Sequence, residues 1–424
     1  MTAIVVRPGP LVGTIRAPPS KSYTHRALVV GHLSGRTFRV REPLDSNDTR
    51  ATASALGRLG TAVRRRKNLW QLAAPLRRPA RNAIRVQCGE SGTTLRFVCA
   101  LAGLTDRSVQ IDGAGRLPQR PIEELLGALR ILGADVRHLR GHGLPVTIRG
   151  PIRGGRVSLD ASKTSQFASA LLLALPTLKE DSVLELTGTI VSRPYLDATL
   201  RLLEHHGINI GRRGRRFHIP GRQRPQGSSF TVPGDASSAA YLWTAAAVSG
   251  GKVRVTGISG IWPQADLAVL DLLRAAGATV SRHHDGATVS GGAPKPFRVD
   301  LTDAPDLYPL AGVLAATIPG ASRLGGAEHV VLKESDRRAA TAGLVRRLGA
   351  TAEITSAGLL IHGTPRPRAL HMDHLSDHRL VMSAAVGALA ARKNSSIGDR
   401  ESVRKSFPAF WSALGSLSEG ASGK

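Results

Sequence analysis

A chain of 424 residues with 42% apolar content exceeds what one hydrophobic core usually supports, so two domains are expected. Its 58 Lys and Arg against 31 Asp and Glu leave a net charge of +27, which attracts anions in a salt-dependent way. Cys88 and Cys99 alone, without CxxC spacing, point to neither a disulfide framework nor a zinc site, and the lack of a signal-like segment or a membrane-length apolar run points to a cytoplasmic protein.

The first element with chemical character is PPSKSYTHRALVVGHL, Pro18 to Leu33. Tandem proline disfavours helix before it, Ser20 or Ser22 caps, and the apolar side of Arg26 to Leu33 continues as a helix. Lys21, Ser22 and Arg26 therefore gather at a helix N-terminus, where free N–H groups and the macrodipole favour an anion. Ser20 occupies the place of the glycine that a Walker loop needs before its lysine. The basic run Arg64 to Lys67 reads as a solvated turn, as does Arg212 to Arg216 further on.

In CGESGTTLRFVCALAGL, Cys88 to Leu104, Gly89, Ser91, Gly92, Thr93 and Thr94 precede an apolar helix carrying Arg96, a pattern that lets phosphate approach the backbone. DGAGRLPQRPIEELLGAL places Arg116 and Arg120 in a Gly- and Pro-rich loop suited to bidentate recognition of carboxylate or phosphate. KTSQFASALLLALP and SRPYLDATL then set Thr164, Ser165, Gln166, Ser192 and Tyr195 just before helices, as hydrogen-bonding groups for a hydroxylated ligand. In the second half acids and bases are mixed closely, as proton transfer requires: Asp306 after Pro305, then Lys333, Glu334 and Arg337 in KESDRR, Asp377, His378 and Arg379 in SDHR, and Lys405 in RKSFP. The alternative for Lys333, Glu334 and Arg337 is a set of surface ion pairs along a helix.

A recurring unit organises the chain: a helix-period stretch ending in Gly, followed by a β-prone segment. Its glycines are Gly60, Gly133, Gly207, Gly277 and Gly349, separated by 73, 74, 70 and 72 residues, with a weaker sixth copy in FWSALGSL near Leu414. Apolar residues such as Ile122, Leu125, Leu126 and Leu129, or Thr341, Leu344, Val345 and Leu348, give each unit one buried helical face, and the glycine ends the helix in a left-handed conformation. Near-constant spacing implies duplication, hence two domains of three units with a short crossover near Val232 to Asp235.

The ordered motifs KSYTHR, LDSND, GESGTTLRF, GRLPQRP, TSQF, SRPY, PGDASSAAY, PDLYPLA, LKESDR, SDHR and KSFP resemble the 5-enolpyruvylshikimate-3-phosphate synthase family from about Arg16 to Phe410. The resemblance implies an α/β fold, the two-domain inverse α/β prism, with three βαβαββ units per domain. One domain would comprise 1–13 plus 234–424 and the inserted one 14–233, with the active site in the cleft between them. It implies transfer of the enolpyruvyl group of phosphoenolpyruvate to the 5-hydroxyl of shikimate 3-phosphate, through a tetrahedral intermediate, by a monomer without metal or cofactor.

By motif, Lys21, Ser22, Arg26, Thr164, Ser165, Gln166, Ser192, Tyr195, Asp306 and Lys333 match the shikimate 3-phosphate contacts. Lys21, Gly92, Arg120, Gln166, Arg337, Arg379 and Lys405 match those of phosphoenolpyruvate, and Gly92 implies room for glyphosate there. Asp306 is the expected base at the 5-hydroxyl and Glu334 the group serving the methylene carbon, with Lys21 assisting. His378 is expected to position its neighbours. The sequence departs from the family's pattern at His329, where Asn is common, and at Thr164, where Ser is common; Lys163 adds a charge beside the hydroxyl cluster.

Two other readings fit less well. The related transferase acting on UDP-N-acetylglucosamine would show Lys-Asn near the N-terminus and a Cys in the loop before the third helix, whereas Lys21 precedes Ser22 and Asp112 to Arg120 holds no Cys. A dedicated nucleic-acid-binding protein is disfavoured by 4% aromatic content and by cations spread over many motifs, which leaves weak non-specific binding to polyanions.

Overall fold

The computed structural model describes residues 3–74, 83–375 and 377–419. The chain divides into two compact units, Pro19–Val232 and the discontinuous pair Met1–Pro18 with Pro233–Lys424. The first crossover lies beyond residue 13 because the strand Val12–Arg16 is paired in parallel with Lys252–Thr256 and belongs to that sheet.

Within Pro19–Val232 one plan is repeated three times: strand, helix, strand, helix, hairpin. The second copy shows it in full, as Ile84–Gln87, Gly92–Ala102, Val109–Asp112, Glu123–Ile131, Asp135–His138 and Val146–Arg149. Its first two strands pair in parallel, and the hairpin adds antiparallel to the second strand, giving a four-stranded sheet. The third copy repeats this from Arg156–Asp160 to Arg216–Ile219. The first copy takes its opening strand from the far end of the segment, where Ser229–Thr231 lies parallel to Phe38–Arg41, so the two ends of the unit are tied in one sheet.

The discontinuous unit follows the same plan. Two copies, beginning at Val12–Arg16 and Arg298–Asp300, carry four-stranded sheets. The third has three strands among the described residues: His371–Met372 is parallel to Ser395–Ile397, against which Ile4–Val6, from the start of the chain, pairs antiparallel.

The first helix of each copy is the core element. Tyr308–Ala316 and His378–Leu389 are buried along their whole length, and Gly92–Ala102 is buried except at Thr93, as expected where three helices pack on one another with sheets around them. The second helix of each copy is amphipathic. Leu125, Leu126 and Leu129 are buried on one, which packs on Asp135–His138 and on the next copy's strand Arg156–Asp160. Leu344, Val345 and Leu348 are buried on and just after another, which packs on Thr351–Thr355 and Gly358–Gly363. The five repeat glycines all have positive φ, between 72° and 105°, and stand just past these helices. The weak sixth copy differs: Gly415 lies inside the helix Phe410–Glu419 and ends nothing. The run Arg64 to Lys67 also departs from the turn expected of it, because Arg64, Arg65 and Arg66 lie within the strand Val63–Arg66.

Candidate active site

In the Pro19–Val232 unit the candidate residues sit at the N-termini of the three core helices, Lys21–Leu33, Gly92–Ala102 and Gln166–Ala174. All three caps are serines: Ser20 accepts from Tyr23 N, Ser91 accepts from Thr94 N at 3.2 Å, and Ser165 occupies the third position. A neutral cap satisfies one N–H without cancelling the positive end of the helix, which leaves these ends suited to an anionic ligand.

Side chains tie the three ends together. Lys21 Nζ contacts Asp48 Oδ2 at 3.1 Å, Thr94 Oγ1 donates to the Asp48 carbonyl at 3.2 Å, and Gln166 Nε2 donates to Thr93 Oγ1 at 3.3 Å. The Gln166 amide oxygen is buried without a hydrogen-bond partner. Arg96 and Arg120, both buried, bracket Gly92 closely: a methyl group there would lie 2.7 Å from Arg96 Nη1 and 2.8 Å from Arg120 Nη1. Arg116, by contrast, is exposed.

Arg26 is placed inward. Its guanidinium donates to Thr199 Oγ1 at 2.8 Å and to the Tyr195 and Ser22 carbonyls at 3.0 Å each, and it lies over the Phe97 ring. Burial pulls its pKa down to about 10. Arg26 thus fixes the backbone of the segment bearing Ser192 and Tyr195. Ser192 itself is buried, with a left-handed backbone at φ 56° and ψ 41°, an unusual conformation for a residue with a Cβ. Thr164 Oγ1 accepts from Gln166 N, and Lys163 is taken up by an ion pair with Glu124.

In the discontinuous unit the equivalent helix ends carry carboxylates. Asp235 caps Ala236–Ser249, Asp377 caps His378–Leu389, and Asp306 lies in the 3-10 turn Pro305–Leu307 that leads into Tyr308–Ala316. Arg337, 1% exposed, is the hub: its guanidinium meets Asp306 Oδ1 at 2.7 Å, Glu334 Oε2 at 2.9 Å and Asp377 Oδ2 at 2.9 Å. Arg379 Nη2 meets the other Asp306 oxygen at 2.5 Å. Burial alone would raise the Asp306 pKa, but Arg379, Arg337 and Lys333 outweigh it and hold the carboxyl well below its usual range. The same three carboxylates hold Arg337 charged against the opposing effect of its burial.

Lys333 follows the turn Glu328–Leu332, and Lys405 ends the turn Arg400–Lys405 with its side chain largely buried. His378 is buried against Asp377, its Nδ1 3.5 Å from Oδ1. His329 is buried too, and burial together with Lys333 lowers its pKa to about 3, so it is a neutral group. Ser376 of the SDHR motif lies outside the described residues.

Asp48 and Asp266, which sequence reasoning did not single out, belong to these clusters together with Asp377. Asp48 and Asp377 lay within LDSND and SDHR, so their motifs were visible while their partners, Lys21 and Arg337, were distant in sequence. Asp266 left no such signal. It is 1% exposed and accepts a hydrogen bond from Ser237, beside the Asp235 cap; burial, with Asp306 nearby, raises its pKa to about 6.

Comparison with known proteins bears on the whole arrangement. The family model for EPSP synthase (3-phosphoshikimate 1-carboxyvinyltransferase) matches residues 5–414. A protein of Methanoculleus marisnigri named 3-phosphoshikimate 1-carboxyvinyltransferase is 40% identical over 420 residues, covering 98% of this chain and 99% of its own. A protein of the same name from Thermococcus kodakarensis is also 40% identical over 420 residues, covering 98% and 100%. Among solved structures, an EPSP synthase from Acinetobacter baumannii superposes with a TM-score of 0.81 over 99% of this chain and 98% of that one at 24% identity, a likeness of fold. The prism plan, the ordered motifs and end-to-end relatives agree: the chain belongs to the EPSP synthase (3-phosphoshikimate 1-carboxyvinyltransferase) family.

Proposed function

We propose that the protein is a 3-phosphoshikimate 1-carboxyvinyltransferase of the shikimate pathway, transferring the enolpyruvyl group of phosphoenolpyruvate to the 5-hydroxyl of shikimate 3-phosphate and releasing phosphate. Beyond family membership, the observation that carries this reading is the Asp306 carboxylate held between Arg337 and Arg379. A carboxylate so strongly ionised is a poor base. An anionic substrate that draws the two arginines onto its own oxygens removes those charges from Asp306 and restores its basicity where it is needed.

Asp306 then accepts the 5-hydroxyl proton as that oxygen bonds to C2 of phosphoenolpyruvate, and a proton adds to C3 through Glu334, which sits on Arg337 Nη2, with Lys21 assisting. In the second step the C2–O bond to phosphate breaks, C3 returns its proton to Glu334, and the hydroxyl proton held by Asp306 leaves with the phosphate, so both carboxyl groups are reset. The serine-capped helix ends, with Lys21, Arg120 and the Gln166 amide, suit the phosphate and hydroxyl groups of the two substrates.

A phosphate-release assay tests this. Turnover is expected only when shikimate 3-phosphate and phosphoenolpyruvate are both present. No phosphate release by the folded protein would overturn the assignment.

A further inference from the structure

The basic excess of this chain is not spread evenly over its sheets. In the four-stranded sheet of the first copy in Pro19–Val232, strands run in the order Ser229–Thr231, Phe38–Arg41, Leu69–Leu72 and Val63–Arg66. Phe230, Phe38, Val40, Trp70 and Leu72 are buried beneath it. Register sets the outward face: one row is Ser229, Arg39, Gln71 and Arg64, the next Thr231, Arg41, Leu69 and Arg66. Four exposed arginines therefore form a rectangle on a face that carries no carboxylate. With ordinary strand geometry its Cα sides are about 7 Å along the strands and about 10 Å across two of them.

None of the four forms an ion pair among the described residues, and the contrast with their neighbours is specific. Arg65, which register places on the opposite face, packs over the Trp70 ring and lies 3.7 Å from Asp45. In the corresponding basic hairpin of the third copy two of the four arginines are compensated, Arg212 by Asp197 at 2.8 Å and Arg216 by Glu185 at 3.0 Å. Uncompensated guanidinium groups on strands, rather than on a mobile tail, are pre-organised for bidentate contact with successive phosphates. Trp70 is buried, so the face offers no aromatic ring on which an unpaired base could stack.

We propose that this face, formed by Arg39, Arg41, Arg64 and Arg66, docks the phosphate backbone of double-stranded nucleic acid without reading its sequence. Contact is made through charge-assisted guanidinium–phosphate hydrogen bonds and not through base edges, aided at long range by the net charge of +27. The proposal is independent of the substrate residues.

The test is anisotropy of a short fluorescent DNA duplex of arbitrary sequence titrated with the full chain at several salt concentrations. The expected result is binding whose logarithmic salt slope is about −4, as four phosphate contacts require. The combined variant Arg39→Gln, Arg41→Gln, Arg64→Gln, Arg66→Gln should bind about tenfold more weakly or worse and flatten that slope, with phosphate-release activity and thermal unfolding unchanged. A variant of the same net charge, Arg212→Gln, Arg213→Gln, Arg215→Gln, Arg216→Gln, should stay within about threefold of the wild type. Equal losses in the two variants would show a net-charge effect and overturn the proposal. So would preference for the single strand over the duplex, or competition by polyglutamate as effective as by unlabelled duplex at equal charge.

Discussion

Arg337 shows how far one side chain organises its surroundings. It is buried, it meets three carboxylates, and two of them come from 31 and 40 residues away in sequence. Replacing Asp377 by Asn removes a fully buried negative charge from that guanidinium and from the cap of the His378–Leu389 helix. A loss of about 3 kcal/mol in urea unfolding is expected, in line with other broken buried pairs. Gly92 is the second test. An added methyl would press on Arg96 and Arg120, so Gly92→Ala should raise the KM for phosphoenolpyruvate about tenfold, equivalent to about 1.4 kcal/mol, with a smaller change in kcat. Asp266 titrates in the opposite sense to Asp306. Its folded pKa of about 6 lies above the unfolded 3.8, so its stabilising contribution is complete below pH 3.8 and lost as pH rises through 6. Asp266→Asn keeps an acceptor for Ser237 and should gain stability relative to the wild type mainly above pH 6, read from thermal midpoints across pH.

The element scale shows what a sequence discloses and what it hides. The helix–Gly–strand units were legible because a helix of amphipathic period and a left-handed glycine both leave local marks, and all five glycines have positive φ. Gly415 shares the local pattern without the conformation. Gly277→Ala should therefore unfold the protein more readily by several kcal/mol, since its Cβ would collide with the Ala293 carbonyl at φ 93°. Gly415→Ala, inside a helix and facing open space, should stabilise by about 0.5–1 kcal/mol. Calorimetry of the two variants decides between pattern and geometry. Borrowed strands left no mark at all: Ser229–Thr231 and Ile4–Val6 are three residues each, and they find partners 190 and 391 residues away. The same holds for Arg64 and Arg66, whose alignment with Arg39 and Arg41 depends on a register that composition does not encode. Candidate site residues were legible as motifs, but the inward turn of Arg26 and the Asp306 cage are tertiary facts.

At the scale of the whole molecule, one plan is used twice with different charge at the helix ends: serine caps in Pro19–Val232, aspartates in the discontinuous unit. Two identical prisms would bind alike; changing the caps makes one unit receptive to anions and equips the other with carboxylates backed by arginine. Buried histidines then set the response to acid. Burial, reinforced by Arg224, lowers His32 to about 4; burial also depresses His25, with Lys21 adding to it, and His206. Each has a folded pKa below its unfolded value near 6.5, so the unfolded chain takes up more protons as pH falls from 6.5 to 4, and stability falls with it. Asp377, whose burial is outweighed by Arg337, and Asp306 lose their contributions only below the ordinary carboxylate range. Protonation in the histidine window also adds to a charge already at +27, increasing self-repulsion. Acid unfolding followed by circular dichroism should therefore begin between pH 6.5 and 4, before most carboxylates titrate, and added salt should move it to lower pH by screening. A His32→Gln variant, which keeps a polar partner for Thr61 but takes up no proton, should shift the onset lower; an onset unchanged in that variant would place the acid sensitivity elsewhere.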